Sequence, residues 1–551
     1  MKKIEKGVYE LKLNGDKLGM VYNYEVYVNG EVNEATDPYA KSTTINGNRS
    51  VVVNPVPLES NYVKIDTPII YELHVRDLST HKESKIKQKG KFLGVIEEGT
   101  KSSKGQITGF DYIKSLGVTH VQLLPIYDFS KYSVDENDQF SKYNWGYDPV
   151  NYNTPEGSYS TNPNDPNSRI IELQQLVKKF HDNNIGVIMD VVYNHVFSTS
   201  EHSFEKIVPQ YYFRHNENGG LTNGSGCGND VASERQMARK YIVDSVVYLA
   251  KTYKFDGFRF DLMGLLDVTT MKTLRDELIK INPNIIILGE GWDLGTLPKS
   301  EKSAQYNANK LENIAFFNDD IRDGIKGATF GGVGQGFATG KLNQEERVLR
   351  NIIGGQGVKT YMAPNQIINY VEAHDNLTLW DQIEKTNRQE NEEVRINRHR
   401  LSTSIVLLSQ GIPFIHAGQE FARTKHGDEN SYKSSDEINW IDWDRAYENR
   451  ALVEYVRQLI SIRKANNMFN LKSYDKINKV LQVLKKEDKL IAYQLKDNDL
   501  IYVAHNASMN TKEIRIENGK YIVLVKDDKA NVNGINEINV RNGKIKVNPI
   551  S

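Results

Sequence analysis

The stretch SRIIELQQLVKKFHDNNIGVIMD, residues 168–190, decides the fold. Its first half sets Ile170, Leu173, Leu176, Val177 and Phe180 on one face at three- and four-residue spacing, as a helix packed on a core requires. Asn183 and Asn184 end that helix, and GVIMD (186–190) follows at once, a short apolar run that stops at an acid. A helix feeding a buried strand is the repeating unit of a parallel β/α fold. The same texture recurs on both sides. Strand candidates fall at 69–73 (IIYEL), 119–124 (THVQLL), 186–190, 257–261 (GFRFD), 285–290 (IIILGE), 314–318 (IAFFN), 367–372 (IINYVE) and 412–416 (IPFIH). Eight strands with helical patterns between them predict an α/β fold, a (β/α)8 TIM barrel with its active site at the carboxyl ends of the strands.

Three of those runs stop at, or run on to, a carboxylate: Asp261 in GFRFD, Glu290 in IIILGE and Asp375 in YVEAHD (370–375). A barrel strand that ends in an acid delivers it into the mouth. Three such deliveries point to acid/base and nucleophilic chemistry on a sugar bond.

The flanks change character. Residues 1–62 hold short alternating runs, VYELKL (8–13), MVYNYEVYV (20–28) and RSVVVNP (49–55), split by NGD, NGE and NGN turns. After about residue 470 alternation returns in KLIAYQL, LIYVAHN, KEIRI, KYIVLVK and KIKVNP. Three domains are expected: a small N-terminal β-domain at 1–62, the barrel at 63–468, and a C-terminal antiparallel β-sandwich at 469–551.

A net charge of −1 excludes a nucleic-acid surface and an electrostatic membrane anchor. No 18-residue apolar window exists, so no membrane span is expected. The start, MKKIEKGVYELKLNG, is basic without an apolar run, which predicts no signal peptide and a cytoplasmic protein as written; a truncated N-terminus would reopen an extracellular location. The single cysteine, Cys227 in NGSGCGND (223–230), excludes a disulfide framework and a cysteine metal site, and is expected to be a small packed residue.

The segments DVVYNHV (190–196), GFRFDLMG (257–264), GEGWD (289–293) and YVEAHDN (370–376) resemble, in order, the four motifs of the α-amylase superfamily, glycoside hydrolase family 13. YNWGYDP (143–149) resembles the hallmark of type I pullulanases, and YELHVRDLS (71–79), GCGNDVASER (226–235) and HDNLTLWD (374–381) share that flavour. DPYAK (37–41) looks like the tail of a debranching-enzyme carbohydrate-binding module, and residues 1–62 resemble only the later part of such a module.

The resemblance implies a retaining hydrolase of α-1,6-glucosidic branch links, with an α-glucan as partner. In that reading Asp261 is the nucleophile, Glu290 the general acid and then base, and Asp375 the acid that grips and distorts the sugar. Tyr147 stacks on the sugar ring, and His195, His374 and Asn376 contact it. Arg259, two residues before Asp261, shares its strand face and orients it. Trp292, two after Glu290, walls that carboxyl with apolar surface. Trp145, Trp292 and Met263 stand between substrate contact and packing, and Asp190 and Asn194 organise the site from behind. The alternatives are an α-1,4-acting or transglycosylating member of the superfamily, or a non-catalytic carbohydrate-binding relative. No cofactor is expected to be required; a structural calcium fits the family, but no EF-hand-like spacing assigns its ligands. A monomer is favoured.

Overall fold

The computed structural model describes residues 1–5 and 7–551. Eight parallel strands close into a barrel: β1 Ile70–Leu73, β2 His120–Leu123, β3 Gly186–Val191, β4 Gly257–Phe260, β5 Ile286–Gly289, β6 Ile314–Phe317, β7 Ile367–Asn369 and β8 Ile412–His416. Each pairs with its neighbour in sequence, and β8 returns to β1 with Phe414 opposite Ile70 and His416 opposite Glu72. All eight expected strands are present, because strands buried on both faces must be apolar throughout.

Ile70, Ile188, Leu288, Phe317, Ile368 and Phe414 fill the lumen. Phe317 meets Phe414 edge-on at 5.0 Å and Tyr370 at 5.2 Å. Each such side chain contributes about 1.5–3 kcal/mol by leaving water, and together they give the mouth a rigid floor. The helix Ser168–His181 buries the five apolar residues its spacing selects. Asn184 then turns the chain at φ 55°, a left-handed value asparagine tolerates, and β3 begins two residues later.

The N-terminal segment forms separate antiparallel pairs, Lys2–Glu5 with Val8–Glu10, Val21–Tyr22 with Ser50–Val51, and Tyr24–Val28 with Glu31–Ala35. The run VYELKL stops pairing at Glu10, and Leu11 and Leu13 are exposed. DPYAK docks this segment on the barrel: Tyr241 Oη donates to Pro38 O at 2.6 Å, and Thr154 Oγ1 to Ala40 O at 3.1 Å. At the other end Leu481–Glu487, Leu490–Lys496 and Leu500–Asn506 form one sheet, with further pairs between 512 and 547. Leu490, Ala492, Ile514, Ile516 and Val540 form the core of that region.

Candidate active site

Arg259 is the organising residue. It lies within β4, wholly buried. Its Nη1 is 3.1 Å from Asp190 Oδ1 on β3 and 2.9 Å from Asp261 Oδ1 just past β4; its Nη2 is 2.9 Å from Glu290 Oε1 just past β5. The expected shared face of Arg259 and Asp261 is present, and the same guanidinium also takes the acids of both neighbouring strands. Asn194 donates to the Asp261 carboxylate at 2.8 Å and to its carbonyl at 2.9 Å, so Asp261 is held from two sides.

Between the two acids Leu262 adopts φ 40°, ψ 47°, a left-handed conformation that costs a leucine about 1–3 kcal/mol. The bend aims its N–H at Glu290 Oε2, 2.9 Å away. Burial pushes the Glu290 carboxyl up to about 6; Arg259 and the Leu262 amide oppose this, while Asp261 and Asp375 add to it. Burial likewise lifts Asp190 to about 7, against the pull of Arg259.

The third acid differs from its expected place. β7 ends at Asn369, so Asp375 sits on the following loop rather than at a strand end, with its side chain 50% exposed beside the cleft. Asn376 follows at φ 66°, which turns the loop, and lines the same cleft. His374 Nε2 is 4.0 Å from Asp375 Oδ2. The cleft is bordered by Glu290, Trp292, His374 and Asp375.

YNWGYDP folds as a tight turn. Gly146, at φ 99°, lies so close to Pro125 O that a Cβ would sit 3.0 Å from it, so a side chain there would meet both a tight contact and a strained backbone. The turn carries Tyr147 over the site, where its ring stacks on His374 at 5.0 Å and its hydroxyl donates to Asp190 at 2.7 Å. Trp145 is buried behind, edge-on to His374 at 4.9 Å, and forms wall rather than surface. Trp292 is partly exposed and borders the cleft with Glu290. His195 has both ring nitrogens engaged within the protein, Nδ1 at 2.7 Å from Asn194 Oδ1 and Nε2 at 2.9 Å from Tyr147 O, so here it braces the residues around Asp261. Met263 departs from a substrate-contact role: it is fully buried and packs against Gly289, away from the mouth.

Several cleft residues had no sequence assignment. Glu72 of β1, Phe317, Arg322, Lys326, Phe330 and Tyr370 all line it. Phe330, 71% exposed, stands in the glycine-rich segment ATFGGVGQG (328–336), which has no periodicity to mark it. Glu72 did leave a signal, an acid inside the apolar run IIYEL, since a charge in a buried strand is costly unless paired. Cys227 is exposed on its loop, not packed as expected; local desolvation and the carboxylates of Asp261, Asp148 and Asp230 push its thiol up to about 11, so it is not a thiolate nucleophile.

Among the described residues two clusters bring three ligand-type side chains together: His81, Asp442 and Asp444, and the buried Asp128, Glu136 and Glu156. Calcium needs six to eight oxygens. In the first cluster Asp442 caps a helix and Lys104 pairs Asp444 at 2.9 Å. In the second, Arg169 grips Glu136 at 2.9 and 3.2 Å, Glu156 accepts from the Ser158 and Phe129 amides, and only Asp128 Oδ1 lacks a partner. One guanidinium stands there against three buried carboxylates, and burial with Glu136 lifts Asp128 to about 7. With the oxygens of Glu136 and Glu156 engaged, neither cluster by itself offers the six oxygens calcium needs.

A family model described as the α-amylase catalytic domain matches residues 92–225, and one described as the all-beta domain of pullulanase matches 477–529. The chain is 46% identical to the pullulanase of Bacillus subtilis strain 168 over 535 residues, 94% of this chain and 74% of that protein. It resembles the crystal structure of type I pullulanase from the same bacterium complexed with maltose, with a TM-score of 0.95, 44% identity, and coverage of 100% of this chain and 79% of that one. A pullulanase from Anoxybacillus sp. LM18-11 complexed with maltotetraose matches with a TM-score of 0.92, 44% identity, and coverage of 97% and 78%. With the barrel, the C-terminal β-region and the relatives in agreement, the chain belongs to the type I pullulanases of the α-amylase superfamily, glycoside hydrolase family 13.

Proposed function

We propose that the protein is a retaining glycoside hydrolase that cleaves α-1,6-glucosidic branch links in pullulan, amylopectin, glycogen or limit dextrins. The observation that carries this reading is the shared guanidinium: Arg259 holds Asp261 and Glu290 at 2.9 Å each, while burial keeps Glu290 near 6. One guanidinium between the two carboxylates keeps them close to each other, and a covalent glycosyl-enzyme calls for a separation of about 5–5.5 Å.

Asp261, oriented by Arg259 and Asn194, attacks the anomeric carbon as Glu290 gives its proton to the departing glycosidic oxygen. The sugar is then esterified to Asp261. Glu290, now ionised, takes a proton from water, and the hydroxide equivalent displaces Asp261 with a second inversion, which restores the α configuration. Tyr147 offers its ring to the pyranose face, Asp375 and His374 take hydroxyl groups, and Trp292 borders the opening. Asp190, Asn194 and His195 hold these groups in place. Every named residue comes from one chain, so a monomer suffices.

The acids do not choose the bond. The α-1,6 reading is supported by YNWGYDP, which builds the Tyr147 wall, and by the pullulanases to which the chain is similar. Incubation with pullulan and sizing of the products tests it. Maltotriose is expected; panose or isopanose would mean α-1,4 cleavage, and no product would favour glucan transfer or binding. Asp261→Asn and Glu290→Gln should each lower turnover by orders of magnitude without loss of fold, and near-normal turnover in either would overturn the assigned roles.

A further inference from the structure

We propose that Glu72 is a positioning residue for hydrolysis: it clamps His374 at both its amide and its Nδ1, so that the ring is held in one orientation at the sugar cleft. The inference deepens the function above and rests on His374 facing the sugar.

Glu72 lies in β1, between Gln122 of β2 and His416 of β8 in register, and is 1% exposed. A carboxylate there is expensive to bury, and barrel packing has no use for it. Both of its oxygens go to one residue 302 positions away: Oε2 accepts the His374 backbone N–H at 2.7 Å, and Oε1 accepts from Nδ1 at 2.8 Å. Gln122 Nε2 adds a long contact to Oε1 at 3.4 Å. This pairing assigns a proton to Nδ1 and fixes the ring plane. Tyr147 is stacked on one face, Trp145 packs at the edge, and Lys425 donates to the His374 carbonyl at 2.7 Å.

Geometry alone does not decide what Nε2 presents. A neutral ring with its proton on Nδ1 would offer a lone pair, whereas an imidazolium offers a donor. Glu72 and Asp375 face the ring with negative charge, and Asp190, which titrates near 7, adds its own only above that; Arg259, Lys425 and His416 face it from the other elements. Burial pulls the imidazole down, but Glu72 and Asp375 outweigh both burial and Arg259, and the balance lies above its ordinary value. The partner shows the reciprocal effect: burial pushes Glu72 up, and His374 together with Arg259 more than reverses it. Glutamine keeps the shape but offers one acceptor oxygen where Glu72 uses two, so it loses an acceptor as well as the charge.

The test is kcat/KM against pH with α-maltotriosyl fluoride, whose leaving group needs no proton from Glu290. Glu72→Gln should lose activity at every pH, because one acceptor is gone, and should lose at least about threefold more at pH 7.5 than at pH 5, because removing the carboxylate lets the ring shed its charge at lower pH. Glu72→Asp keeps the charge but not the reach; it should lose kcat by about fivefold or more, with KM and the alkaline limb unchanged. In a His374→Ala background, Glu72→Gln should cost less than about twofold, because the two act together. A loss of equal size at every pH, or one that persists without His374, overturns the proposal. If Glu72→Gln does not fold, Glu72→Asp decides: parental kcat, or a moved limb, overturns it. A parent that does not hydrolyse pullulan fails the glycosidase reading instead, so the two failures are distinct.

Discussion

The proton on Glu290 should set how fast the enzyme opens a glycosidic bond above neutrality. Burial raises that carboxyl to about 6. In the free enzyme half the molecules then hold the proton at pH 6, about one in eleven at pH 7 and about one in a hundred at pH 8. kcat/KM for pullulan is therefore expected to fall about fifty-fold between pH 6 and pH 8, with a midpoint near 6. Initial rates from reducing ends, taken from about pH 4.5 to 8.5, give the limb. α-Maltotriosyl fluoride supplies the control, since fluoride departs unprotonated and the limb near 6 should vanish. Glu290→Gln should lose about 10²–10⁴-fold on pullulan, the usual worth of a general acid, yet still be glycosylated by the fluoride. The same limb with both substrates, or a Glu290→Gln variant within tenfold of the parent on pullulan, would refute the assignment.

Other consequences can be checked more briefly. Tyr147→Phe loses the 2.7 Å hydrogen bond to Asp190, worth about 0.5–1.5 kcal/mol, and should raise KM by less than about tenfold; Tyr147→Ala also removes the ring stacked on His374 and should lower kcat/KM by about a further tenfold in steady-state assays. Asp190 titrates near 7 in the folded protein, above its ordinary 3.8, so the folded state holds the extra proton and stability falls as pH rises from about 4 to 7. Asp190→Asn removes that dependence, and thermal unfolding of the variant relative to the parent should improve across this window; an unchanged difference would count against the raised carboxyl. EGTA should leave pullulan turnover and the unfolding midpoint unaltered, because Arg169 and backbone amides already engage the oxygens of Glu136 and Glu156; inactivation by the chelator would contradict this.

The barrel was legible because strands buried on both faces must be apolar runs of the right length, and helices between them must carry one apolar stripe. Asp261 and Glu290 were legible because each abuts such a run. Asp375 lies farther from its strand than the pattern suggests: Tyr370, Val371 and Ala373 keep the run apolar although the chain has left the sheet at Asn369, and Glu372 turns to the Leu379 amide at 2.7 Å. Met263 was open between two roles because strand ends give no clue to whether the next side chain faces mouth or core. The strand Leu481–Glu487 was missed because it follows the helix Tyr474–Val480 without a turn residue. The Glu72–His374 pair joins residues 302 apart, and no local pattern encodes a contact of that range.

The single guanidinium among three acids has a consequence for the timing of the reaction. While Asp261 is ionised, its charge helps hold the proton on Glu290, as a donor needs. Once the sugar is esterified to Asp261, that charge is gone, and Arg259, 2.9 Å from Glu290, has one fewer anion to share. The ionised form of Glu290 is favoured at the moment a base is called for, and hydrolysis of the ester restores the earlier preference. Progress along the covalent cycle thus switches the role of Glu290 through charge alone, with no side chain obliged to move.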